Sequence, residues 1–196
     1  MTQLNTSLIL PKTYFGAPPG KNTYYLAGPI RGTDDWQAEA VVILANLDPG
    51  CTIVCPCRWD DTHPLSIYRV IPDNGVGGNL FELLTRQTQW ERVWMSYAAA
   101  HGCLIFWLPC ENTVGPRPKE DGPYARDTYG ELGRYSNLVS SDQNCLKMSI
   151  GADPKLPESF GLSQIKCNLD IDFAYGYPIF DTLQKTLEVA VEHANS

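Results

Sequence analysis

Short apolar runs of strand character alternate with amphipathic segments of helical period along this chain, and that alternation narrows the fold most. Thr23–Ala27 (TYYLA), Thr52–Cys55 (TIVC), Cys103–Leu108 (CLIFWL) and Leu146–Ile150 read as short buried strands. Trp36, Ala40, Ile43, Leu44 and Leu47 recur at helical spacing, with Asp34 or Asp35 placed to cap the start and Pro49-Gly50 to end it. Trp90, Val93, Trp94, Tyr97 and Ala98 form the clearest apolar stripe. Leu132, Tyr135, Leu138 and Val139 mark a third helix. Leu183, Leu187, Ala190, Val191 and Ala194 mark a last one, from about Asp181. Such alternation predicts a parallel sheet with helices on both faces. Ligands in such sheets bind beyond the carboxyl ends of the strands, where strand order reverses. Two unusual loops leave from those ends, one after Ala27 and one after Leu108.

The rest of the chain sets the frame. Residues 1–22 are polar and rich in Pro and Gly, and read as a leader on the surface; residues 23–196 read as a single domain. Residues 56–81 and 109–127 are long turn-rich loops, of the kind that carries function in a compact domain, and 153–164 reads as a further loop. The 196 residues are enough to bury a core, and five Trp and ten Tyr argue against disorder. Lys plus Arg number 15 against 22 Asp plus Glu, a formal charge of −7, which speaks against a nucleic-acid partner. No apolar run approaches the roughly 18 residues of a membrane span. MTQLNTSLILPK has no basic stretch before its apolar patch, so no secretory signal is expected. Seven cysteines, an odd number in no regular framework, predict free thiols in a reducing cytoplasm. Cys55-Pro-Cys57 followed by His63 has the wrong gap for a zinc site, so no metal is expected.

Two segments carry candidate chemistry. In Tyr25–Arg31 (YLAGPIR), Gly28 lets the backbone approach a ligand closely; the plain alternative is a strand end and a turn. The segment has neither the three glycines of a dinucleotide fingerprint nor the Lys-Ser/Thr of a phosphate loop, so no NAD or ATP is implied. In Asp127–Tyr135 (DTYGELGRY), Glu131 falls in the first turns of a helix, whose partial positive charge is expected to keep it ionised. An ionised carboxylate in a cleft can attack a sugar carbon, whereas an acidic first turn also serves stability alone. Gly130 and Gly133 each cost the helix about 1 kcal/mol against Ala, which points to something lying close to that backbone. Trp36 and Trp59 either stack on a planar base or fill the core. Arg58-Trp59-Asp60-Asp61 lies beyond the second strand, where Asp60 and Asp61 either bind sugar hydroxyls or form a solvated turn.

YLAGPI, Trp36, QTQWE at 87–91, LIFWLP at 104–109 and GELGRY at 130–135 follow in the order and spacing of a known family. The chain resembles the nucleoside 2-deoxyribosyltransferases, most of all their divergent 2-deoxyribosyltransferase-like branch. The likeness spans residues 24–138, and YPIFDTL at 177–183 also fits that branch. The resemblance implies a flavodoxin-like, doubly wound parallel sheet of about five strands. It implies base exchange on 2′-deoxynucleosides through a covalent deoxyribosyl-glutamate, with no cofactor or metal. By the matching positions, Glu131 is the nucleophile and Tyr25 hydrogen-bonds it. The family's substrate-contacting aspartate, six positions before the Glu, falls on Ala125, so Asp127 is the candidate for that role. Glu91 is the nearest match to the carboxylate that protonates the departing base. Gly28, Pro29, Ile30, Trp36, Gln87 and Gly130 belong to the matching segments and are candidate substrate contacts; Arg58, Trp59 and Asp60 are candidates by position. The implied partners are a small deoxynucleoside and a free nucleobase, with no nucleic acid and no membrane. A homo-oligomer, dimer or higher, is implied as well. Two other readings stay open. One is an N-glycosidase that uses water on nucleosides or their 5′-monophosphates, with Arg31, Arg126 and Arg134 as phosphate contacts. The other is a nucleotide-binding domain without turnover.

Overall fold

The computed structural model describes residues 6–11, 21–57, 59–68, 80–112, 117–118, 120, 122–142, 145–156, 160–173 and 176–196. Six strands form one sheet: β1 (Ser7–Ile9), β2 (Thr23–Ala27), β3 (Thr52–Val54), β4 (Gly102–Leu108), β5 (Met148–Ala152) and β6 (Ile179–Phe180). Their order is β1-β3-β2-β4-β5-β6, and every pairing is parallel. The helices are α1 (Trp36–Leu47), α2 (Leu80–His101), α3 (Arg126–Ser141), α4 (Phe160–Asp172) and α5 (Leu183–Ala194), with a 3-10 turn at Pro64–Tyr68.

Side-chain alternation along the central strands sorts the core into two layers. Tyr24 and Leu26 of β2, with Cys103, Ile105 and Trp107 of β4, pack beneath α1 and α5. Tyr25 and Ala27, with Leu104 and Phe106, pack beneath α2, α3 and α4. The chain is therefore a flavodoxin-like, doubly wound α/β fold. From β2 it winds to β3 on one side; from β4 it winds to β5 on the other. Strand order reverses between β2 and β4, and the crevice beyond their carboxyl ends is where such a sheet takes ligands.

The helix starts follow local chemistry. Asp35 caps α1 by accepting the Ala38 amide at 3.1 Å, and Thr182 caps α5 by accepting the Lys185 amide at 3.2 Å. Trp90, Trp94 and Ala98 of α2 are buried as their spacing predicts, but Val93 stands 52% exposed. Leu138 of α3 is likewise exposed, because the helix buries the face of Leu132, Tyr135 and Val139.

Four expectations are corrected. The sheet has six strands rather than about five. The first of them comes from the expected surface leader, where Ser7–Ile9 pairs with β3 and Leu10 is buried. Residues 1–5 and 12–20 of that leader lie outside the described residues. The strand expected at Leu146–Ile150 begins two residues later, at Met148, and runs to Ala152. The segment 153–164, read as a loop, leads into α4, which buries Leu162, Ile165 and Leu169. Among the described residues no helix is long and apolar enough to cross a membrane.

Candidate functional site

A cavity of about 520 Å³ opens at the switch point between β2 and β4. Its floor is the end of β2, where Tyr25 and Ala27 lie on the α2–α3 side of the sheet. The turn Gly28–Arg31 forms one wall. Opposite stands the start of α3, with Ala125, Asp127, Thr128 and Glu131. Pro56 enters from beyond β3 and Glu91 from α2, while Arg117, Glu120 and Pro123 come from the β4–α3 loop.

Three polar side chains converge there for reasons of packing. Tyr25 is 2% exposed, its ring tilted against Trp90 with centroids 6.2 Å apart. Glu91 follows Trp90 on α2 and accepts a hydrogen bond from Gln87 Nε2 at 2.8 Å. Glu131 precedes Leu132, which is fully buried, so the helix that buries Leu132 carries Glu131 to the cavity edge. Neither the Tyr25 hydroxyl nor the Glu131 carboxyl has a hydrogen-bond partner among the described residues. The bond between them that the resemblance implies is therefore absent here, although the Glu131 charge, when present, helps to keep the Tyr25 phenol protonated.

Electrostatics overturns one expectation. Burial pushes the Glu131 carboxyl up to about 8, with the negative charges of Glu91 and Asp127 adding to the effect and Arg92 opposing it. It is not held ionised by the helix start. Glu131 is the sixth residue of α3, and the dipole's influence fades within the first turn. Burial, then Glu91 and Glu131, likewise raise Tyr25 well above the ordinary phenol value, so it stays a hydroxyl donor.

The other candidates divide. Gly28, Pro29 and Ile30 line the cavity. Gly28 is needed for a different close approach than the one expected. A Cβ there lies 2.4 Å from the Trp107 carbonyl oxygen and 2.6 Å from the Trp36 ring. Trp36 fills the core instead of facing a ligand, and its indole donates to the Pro29 carbonyl at 2.9 Å, joined by Gln37 at 3.2 Å. Trp59 is also a core residue. It stacks on His63 at 4.6 Å, and both donate to Asp35 Oδ2, at 2.8 and 2.9 Å. Asp60 is exposed and closes a turn onto the Thr62 amide and hydroxyl, which lowers its carboxyl. Gln87 is not in the cavity wall and donates to Glu91, which is. Gly130 is exposed, and a Cβ at Gly130 or Gly133 meets nothing within 4 Å among the described residues, so the close approach expected at that backbone is not made by them. Asp127 sits at the rim with its side chain 88% exposed, paired with Arg126 at 3.3 Å. Arg58 lies outside the described residues. Arg31 and Arg126 line the cavity, as does Arg117, which no motif singled out.

All seven cysteines are unpaired. Among the described residues no three His, Cys, Asp or Glu side chains gather as metal ligands. No protein-family model matches the chain, and no curated protein matches it.

Proposed function

We propose that this protein cleaves the N-glycosidic bond of 2′-deoxynucleosides through a covalent deoxyribosyl-Glu131 and passes the sugar to a second nucleobase. The observation that carries the reading is one cavity, at the strand-order switch, holding two carboxyl groups that influence each other and a phenol held protonated beside them. The motif resemblance of residues 24–138 supports it.

The chemistry follows from the proton on that pair. Departure of the base builds positive charge on the sugar ring, which a carboxylate beneath the anomeric carbon offsets and then captures. Glu131 holds a proton in the free site at neutral pH because of its burial and the Glu91 charge. Substrate binding moves that proton to Glu91. Ionised Glu131 attacks C1′, the C–N bond breaks, and its electron pair on the base nitrogen takes the proton from Glu91. As Glu131 ionises, the Tyr25 hydroxyl closes onto it with the hydrogen bond that the free site lacks and holds the carboxylate under the sugar. A second base attacks the glycosyl-enzyme from the same face, so configuration is retained. Ala125 stands where the family has its aspartate, and Asp127 covers that rim from a paired, exposed position.

Incubating the protein with one deoxynucleoside and a second free base tests the reading. The new deoxynucleoside is expected to accumulate faster than free deoxyribose. Free sugar formed at equal rates with and without the second base points to the N-glycosidase instead. No cleavage of any deoxynucleoside points to a binding domain.

A further inference from the structure

Tyr135 closes the GELGRY motif and buries its ring in the layer that holds Tyr25, Trp90, Trp94 and Leu132. A buried tyrosine ordinarily finds a partner for its hydroxyl. Here both partners stand on another helix. The hydroxyl donates to the Arg92 carbonyl at 3.2 Å and meets the Ser96 hydroxyl at 3.1 Å. With its one proton committed to the carbonyl, the tyrosine oxygen accepts from Ser96. Arg92 and Ser96 stand one turn apart on α2, so the two bonds grip that helix across a full turn. The grip falls beside the carboxyl pair. Arg92 directly follows Glu91, and Tyr135 lies one turn beyond Glu131 on the same face of α3, roughly 6 Å along its axis. Glu131 has no hydrogen-bond partner of its own among the described residues, so its distance from Glu91 is set by the two helices that carry them. The groups whose charge reaches Glu131 are Glu91 and Arg92 of α2 and Asp127 of its own helix. Tyr25 of β2 feels Glu91, Glu131 and Tyr135 together, which makes these four one cluster.

We propose that Tyr135 is a positioning residue whose hydroxyl, bonded to the Arg92 carbonyl and the Ser96 hydroxyl, struts α3 against α2 and fixes the Glu91–Glu131 separation across which the proton passes. Tyr135 is not in the cavity wall, so it acts through the two helices rather than on the sugar or the base. Its part in the reaction rests on the glycosyl-transfer reading; the strut itself does not. Loss of the hydroxyl frees the helices to part at this level. Water then reaches Glu131 and the Glu91 charge recedes. Both changes weaken what raises the Glu131 carboxyl, while the opposing Arg92 charge is the smallest influence on it. The carboxyl therefore moves down.

Tyr135→Phe keeps the ring and removes the strut. Carbon-13 NMR of the Glu131 carboxyl in the full chain, followed from about pH 4 to 10, reads the pair without turnover. The parent is expected to titrate at about 8 and Tyr135→Phe about one pH unit lower. Ser96→Ala changes an exposed position and keeps the bond to Arg92, and is expected to move the carboxyl about half as far. Cleavage assays read the same strut. In Tyr135→Phe kcat is expected to fall about tenfold with KM within about twofold, and the alkaline limb of the rate to move down with the carboxyl. A lower melting temperature with the Glu131 titration unchanged in both variants makes Tyr135 a core residue only and overturns the proposal. An upward movement of the carboxyl in either variant overturns it as well. A carboxyl that moves as expected in a chain that cleaves no deoxynucleoside keeps the strut and loses the proposed function.

Discussion

Glu131 shows how a residue can be legible in position and illegible in charge. The GELGRY motif marks it, but its ionisation depends on burial and on Glu91, which the fold brings in from another helix. The raised value has a thermodynamic consequence with a definite sign. Between about 4.5 and 8 the folded chain keeps a proton that the unfolded chain has released, so stability falls as pH rises through that window. The loss is on the order of 4 kcal/mol by the upper end. Glu131→Gln removes it. Urea unfolding above pH 8 is expected to show that variant more stable than the parent by about 2–4 kcal/mol, with the difference vanishing near pH 4. The same proton shapes activity. The pair must hold one proton for the departing base, so the cleavage rate in a pH series is expected to fall as pH passes about 8. A rate that climbs through 8 to a plateau means that Glu91 does not supply the proton.

At the scale of elements, the loops over the cavity are built as a joined frame. The Asn112 amide donates to the Gly32 carbonyl at 2.6 Å and its side chain donates to Asp34 at 2.9 Å, tying the β4–α3 loop to the β2–α1 loop. Gly32 has φ 75°, and its missing Cβ leaves room for the Arg117 stem that crosses it. At the other end of that turn, Gly28 leaves room for Trp36 and the β4 backbone. Gly28→Ala forces those apart, and chemical denaturation is expected to show a loss of about 1–3 kcal/mol. Little of this frame was readable from the sequence. YLAGPI marks a turn, but nothing in it says whether Trp36 points to a ligand or to the core. Helix α4 was hidden behind Pro154 and Pro157, though Leu162, Ile165 and Leu169 carry a helical period that a closer count finds. The edge strand β1 was masked by the Pro/Gly-rich stretch around it. Three residues pairing on a sheet edge leave too short a pattern to stand out.

For the molecule as a whole, the alternation of strand and helix was enough to place the site, because a doubly wound sheet has one strand-order switch and the two unusual loops leave from it. It was not enough to find Arg117, which no motif marks and which the β4–α3 loop brings to the cavity. The basic groups elsewhere have a plainer explanation. His101 and His193 sit in the last turns of α2 and α5, where the His193 ring meets the Met148 carbonyl at 2.9 Å. The chain carries a net charge of −7, and three arginines meet four carboxyl groups at one cavity. The central claim is a covalent bond between the sugar and one side chain. The most direct test is the mass of the intact protein, denatured moments after mixing with a deoxynucleoside in the absence of an acceptor base, followed by peptide mapping. One added deoxyribosyl unit on Glu131, absent in Glu131→Gln, is the expected result. Turnover with an unmodified chain at every time sampled, or a sugar bound at another residue, contradicts the account.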